Sequence, residues 1–265
     1  MNNYLKLNQR LNTLLNLERK IVGVTFLKDE ETFKEHPATS FKNMMPYCQS
    51  IKKATEGYDF KLTAKNFACL ASAVAMGLIP NDDYSSSGRK HTDMGCYQDI
   101  DTSKSIADDM VYVKEKNYGV AIQPIEKWQG NPDVVVLITT PFNAMRMIQG
   151  NAYFEGQLKN IKLAGMQAIC QEATSYPFVT DQINISMMCS GTRYVAQWKD
   201  EELAIGVPFN KFEKMIRGIE ATLNPMELRE KKKIIEEKLT QTNNLNYDVK
   251  KNQNYFKGAY TGIKK

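Results

Sequence analysis

Leucine recurs at positions 5, 7, 11, 14, 15 and 17, close to helical spacing, and predicts an amphipathic helix over residues 3–18. The β-branched run I-V-G-V-T-F-L at 21–27 predicts a strand. Residues 28–39 are polar and acidic around His36-Pro37, and predict a loop or a broken helix. Over 62–78 the residues Ala64, Phe67, Ala68, Ala71, Val74 and Ala75 share one stripe, which predicts a helix packed closely through small side chains. Gly77 and the following Pro80-Asn81-Asp82-Asp83 supply its stop. The continuous apolar run V-V-V-L-I-T-T at 134–140 has the pattern of a strand buried on both faces. Pro141 then opens a short helix that Gly150 closes. A strand at 203–207 and a helix at 211–223, with Phe212, Met215, Ile216 and Ile219 on one face, complete the regular pattern. Pro225 starts a last polar helix, and residues 240–265 form a tail rich in Asn, Tyr and Lys.

Residues 81–109 fit none of these periods. They contain Gly88, Gly95 and almost no aliphatic side chains, and predict a long loop that carries Arg89, His91 and Cys96. Loops of that length inside a domain are often functional, so this one is a candidate lid or donor of a further ligand.

The chain also repeats itself. Cys48-Gln49 is followed by Tyr58-x-Phe60 and then Cys69; Cys170-Gln171 is followed by Tyr176-x-Phe178 and then Cys189. A strand-like run precedes each copy, and each is followed by an apolar run ending in Pro-x-x-Lys-aromatic, at 124–128 and 208–212. Four features in one order predict an internal duplication. The expected fold is α/β, with a single domain over 1–223 made of two pseudo-equivalent halves, about 17–128 and 131–223. A peripheral helix and tail occupy 224–265. The stretch at 81–109 has no counterpart in the second half.

Composition narrows the classes of function. The chain has 265 residues and a net charge of +5 carried by scattered lysines, so nucleic acid is not an expected partner. Its first residues lack an apolar h-region, and no stretch approaches the roughly 20 apolar residues that span a bilayer, so a cytoplasmic protein without membrane contact is expected. Five cysteines in a reducing compartment are thiols or metal ligands rather than a disulfide framework. No G-x-G-x-x-G, Walker loop, H-E-x-x-H or G-x-S-x-G is present.

Several segments together resemble the prokaryotic family catalogued as domain of unknown function 169. They are M-P-Y-C-Q-S-I-K-K-A at 45–54, C-L-A-S-A-V-A-M-G-L at 69–78, N-P-D-V-V-V-L-I-T-T-P-F-N-A-M-R-M-I-Q-G at 131–150 and N-I-S-M-M-C-S-G-T-R at 184–193. The resemblance implies an α/β unit and supplies no reaction.

Thiolates select zinc, copper(I) or iron–sulfur clusters. If the halves form a pseudo-dimer, Cys48, Cys69, Cys170 and Cys189 converge as equivalent pairs, and the lack of C-x-x-C does not count against a cluster. Zinc fits less well, because structural zinc takes closely spaced ligand pairs. The plain alternatives are four small buried hydrophobes or a nucleophilic thiol. Cys96 is a further ligand or a loop thiol. Small residues at Cys189-Ser190-Gly191-Thr192 followed by Arg193 also suit an anion, with Arg193 as its anchor. Arg146, standing alone on its helix, is expected on a solvated face. Two functions follow from the residues. One is a cytoplasmic, cysteine-ligated iron–sulfur or other metal protein, with an oxidoreductase acting on a small molecule as its enzymatic form. The other is a non-catalytic small-molecule-binding or sensor module with structural cysteines. Either is compatible with a homo-oligomer.

Overall fold

The structure, a computed structural model, describes residues 3–223 and 229–241. Six strands form its sheet: β1 (Val22–Leu27), β2 (Phe60–Thr63), β3 (Gly119–Pro124), β4 (Val134–Thr139), β5 (Asn184–Ser186) and β6 (Leu203–Pro208). Their order is β2-β3-β1-β4-β6-β5, and every pair is antiparallel. At the centre β1 meets β4, with Val22 opposite Val136 and Val24 opposite Val134. Outward from that pair the order is β1-β3-β2 on one side and β4-β6-β5 on the other. The registers correspond as well: Val22 faces Pro124 across β1/β3, and Val134 faces Pro208 across β4/β6.

The fold is mixed α/β, as the sequence pattern predicts. Every residue of β3, β4 and β6 is buried, so the continuous apolar run reported burial on both faces. It did not report strand direction, which here is antiparallel.

By its contacts the chain divides into two units. The larger comprises Arg19–Thr140 and Asn160–Phe209 and holds the whole sheet. Its core is built from Val22, Val24, Tyr47, Ile51, Phe67, Val120, Ile122, Val136 and Ala204, among others. The smaller comprises the described residues of Met1–Glu18, Pro141–Lys159 and Asn210–Lys265.

Within the smaller unit the helices Pro141–Glu155 and Phe209–Ala221 touch backbone to backbone. A Cβ on Gly218 would stand 1.8 Å from the Gly150 carbonyl oxygen, so both positions have to be glycine. Arg10 of the helix Asn3–Leu15 holds Glu220 with two hydrogen bonds, at 2.9 and 2.6 Å. Arg146 is not on a solvated face. It is fully buried and donates to Gln149 Oε1, Thr222 Oγ1 and the Ile219 carbonyl at 2.7–3.1 Å, which is how a buried guanidinium is kept satisfied.

Two segments of the larger unit differ from the sequence reading. The small-residue stripe at 62–78 splits into β2, a 3₁₀ turn Ala64–Asn66 and a short helix Leu70–Ala75. Pairing with β3 outweighs helical periodicity here. Asn66 makes the break, accepting from the Thr63 N–H at 2.9 Å and donating to the Phe41 carbonyl at 2.9 Å. Residues 81–109 are not a loop but carry three helices, Asp83–Ser86, Arg89–Asp93 and Ile100–Asp109. Asp82 and Asp99 cap the first and third through the N–H groups of Ser85 and Thr102. Residues 28–39 contain one capped helix, Glu30–Glu35.

The two Tyr-x-Phe motifs adopt unlike conformations. Tyr58 and Phe60 lead into β2, whereas Tyr176 and Phe178 lie in the helix Tyr176–Thr180. The last helix is described as Arg229–Gln241; its expected start at Pro225 and the tail from 242 onward lie outside the described residues.

Candidate functional site

Four cysteines distant in sequence reach one cavity of about 500 Å³ in the larger unit. Cys48 comes from the first turn of the helix Tyr47–Thr55, and Cys170 from the helix Ala168–Ser175. Cys69 and Cys189 are the N-cap residues of Leu70–Ala75 and Ser190–Ala196, both in extended backbone. Cys96 is exposed and is not part of the wall; its N–H donates to the His91 carbonyl at 2.9 Å.

The segment carrying Cys170 is a π-helix of eight residues, a conformation that is rare and recurs at functional sites. β5 and β6 fix its place. Asn184 on β5 donates to the Glu172 carbonyl at 2.8 Å, and Ser186 donates to Glu172 Oε2 at 2.6 Å. Gly206 on β6 lets the π-helix approach: a Cβ there would meet the Ala173 carbonyl oxygen at 2.2 Å. Gln167, just before the π-helix, and Met188, just before Cys189, both adopt left-handed backbone, with φ of 50° and 66°. Each such non-glycine residue costs on the order of 1–3 kcal/mol, which the surrounding packing has to hold.

Burial governs the electrostatics. It pushes the Cys170 thiol well above its ordinary range, and the nearby Cys69, Cys189 and Cys48 add to the rise. Burial likewise raises Cys48, against the Thr192 hydroxyl, and Cys189 and Cys69 contribute again. Cys48 and Cys170 are thus close enough to the other sulfurs for a neighbouring negative charge to disfavour their ionisation. The Thr192 N–H donates to Cys189 Sγ at 3.4 Å. Among the described residues no three His, Cys, Asp or Glu side chains stand close enough to hold one metal ion together.

The wall also contains side chains beyond the cysteines, some of them, such as His91 and Thr192, in segments that the sequence reading had singled out. Lys90, His91 and Met94 come from residues 81–109, and Gln167 and Thr192 flank Cys170 and Cys189. His91 Nδ1, Gln167 Oε1 and Thr192 Oγ1 are buried without a hydrogen-bond partner of ordinary geometry. Nothing in the sequence marked Gln167 or the π-helix. Arg193, in contrast, lies outside the cavity wall and donates to the carbonyls of Met187, Lys199 and Glu202 at 2.9–3.0 Å, where it clasps the loop before β6.

The pattern of one family, DUF169, described as uncharacterised ArCR, matches residues 10–218. The chain belongs to this family. All four cavity cysteines fall inside the DUF169 segment. The chain is also 26% identical over 214 residues to an uncharacterized protein, MJ0308, of Methanocaldococcus jannaschii, across 80% of this chain and 91% of the relative. No solved structure matches the chain.

Proposed function

We propose that this DUF169 chain is an iron–sulfur protein whose cluster is held by Cys48, Cys69, Cys170 and Cys189 and serves in electron transfer or in reduction of a small molecule. The observation that carries this reading is the convergence of those four thiols, from four separate elements, on one cavity. Burial and the neighbouring sulfurs raise the Cys48 and Cys170 thiols, which makes them poor nucleophiles when no metal is bound. A positively charged iron core would accept all four as thiolates. The form proposed is a multi-iron cluster rather than one tetrahedral ion, since among the described residues no three such ligands are close enough to hold a single metal. A bound cluster would supply one-electron chemistry. Among this chain's own residues, the Thr192 N–H would donate to the Cys189 sulfur.

The same proposal includes the internal duplication. The matching strand order on either side of β1/β4, and the N-cap placement of both Cys69 and Cys189, support it. The unlike settings of the two Tyr-x-Phe motifs limit the repeat to strands and cysteines. It also includes a reducing, cytoplasmic setting, where thiols persist. Among the described residues no helix is long and apolar enough to cross a membrane.

One observation favours the second reading, a small-molecule-binding module with structural cysteines: Cys48, Cys170 and Cys189 pack against the apolar core. Purification from strictly anaerobic cells separates the two. Iron and acid-labile sulfide near four per chain support the cluster, as roughly expected of a cubane. A colourless, iron-free chain overturns it and leaves the binding module.

A further inference from the structure

The cysteines come from both sides of the β1/β4 pair, but the basic groups in the cavity wall do not. Lys90 and His91 belong to the helix Arg89–Asp93, within the stretch at 81–109 that has no counterpart in the second half. His91 is 4% exposed, and its Nδ1 has no hydrogen-bond partner. A buried polar atom left unpaired is costly, so a ligand that pairs with it recovers that cost. Gln167, the N-cap residue of the π-helix, reaches the Tyr112 hydroxyl with its side-chain amide, but its Oε1 is likewise unpaired. Among the described residues Lys90 forms no ion pair.

We infer that Lys90, His91 and Gln167 form a substrate subsite beside the four cysteines, and that it takes a small carboxylate bearing a hydroxyl or amino group. Each part of that ligand answers one group in the wall. The Lys90 ammonium matches the carboxylate. Gln167 Oε1 can only accept, so it requires a donor on the ligand. His91 pairs through either tautomer, and burial, together with the charge of Lys90, keeps its ring neutral. The volume, about 500 Å³, lies within the roughly 300–1,000 Å³ of small-molecule sites. The subsite rests on the reading of this cavity as the seat of the cluster, and it deepens that reading by naming what is bound there.

The test is calorimetric titration of the full chain, purified anaerobically, with glycerate and serine as probes. Propionate and inorganic phosphate are the controls, and iron and sulfide are assayed on each sample. Glycerate or serine is expected to bind one per chain, and propionate, which lacks the donor, at least about tenfold more weakly. His91→Gln and Gln167→Leu, each verified as folded by its melting temperature, should weaken the better probe by about tenfold or more. Gln167→Leu should also narrow the gap to propionate. Failure of both probes to bind an iron-loaded chain overturns the subsite and leaves the cluster standing. Equal binding of phosphate, or unchanged affinity in both variants, overturns it too. Selective binding by an iron-free chain supports the subsite and removes the cluster.

Discussion

The hydroxyl oxygens of Tyr47 and Thr174 lie 2.9 Å apart in the interior, and their hydrogen bond ties the helix of Cys48 to the π-helix of Cys170. Thr174 Oγ1 also donates to the Ile169 carbonyl at 2.7 Å, so Tyr47 is the donor in the bond between them. Tyr47→Phe should therefore cost about 1 kcal/mol of stability, the usual net value of such a bond. Thr174→Val should cost about the same or somewhat more, and the double variant less than the sum. Chemical denaturation of the four proteins measures the coupling; strictly additive losses would show that the two groups do not interact.

Substitution at Cys69, Cys170 or Cys189 by serine should abolish anaerobic iron incorporation, while far-ultraviolet circular dichroism stays that of the parent. Cys96→Ser should keep the full iron content, because Cys96 is exposed and stands outside the cavity wall. Iron retained in the Cys69 or Cys189 variant would remove that residue from the ligand set.

Gly206→Ala should destabilise the fold by about 1–3 kcal/mol, the range for overpacking a filled interior. The added methyl would collide with the Ala173 carbonyl at 2.2 Å and with Pro177, so the π-helix has to shift and carry Cys170 with it. Denaturation midpoints check the first effect. Iron content at matched folded fraction checks the second, and an unchanged value there would show that the π-helix position does not matter for the site.

Glu172 gives a signed dependence on pH. Burial raises its carboxyl above the ordinary glutamate value, outweighing the hydrogen bonds from Ser186 and from the Ala164 and Gly165 N–H groups. The folded state therefore holds its proton more tightly than the unfolded chain does, and this group's contribution to stability declines as pH rises from the unfolded value through the raised folded one. Asp133 behaves the same way, since burial raises it against the Phe26 N–H and Lys28. Glu172→Gln removes one of the two contributions. The difference in unfolding free energy between parent and variant should change across that mildly acidic window and level off above it; a difference that is flat with pH would contradict the raised value.

The sequence by itself determined three of the strands and the cysteine set. β1, β4 and β6 were legible because a run of apolar, β-branched residues bounded by turn residues has few other ways to be buried. Cys48, Cys69, Cys170 and Cys189 were legible through their repeated order, which does not depend on where the chain goes. The helices at 81–109 could have been read from Asp82 and Asp99, each placed to cap, but their apolar periodicity was too thin to announce them. Tertiary structure alone decided the rest. Strand direction and sheet order depend on pairing between segments far apart in sequence, which hydrophobic period does not encode. The π-helix depends on Gly206, Asn184 and Ser186, which hold it from β5 and β6. His91 and Gln167 became neighbours of the cysteines because folding brought 89–93 and 167 to the same wall. Arg193, which looked like an anion anchor when only its neighbours in sequence were known, is instead occupied by the carbonyls of 187, 199 and 202, which folding brings round its guanidinium.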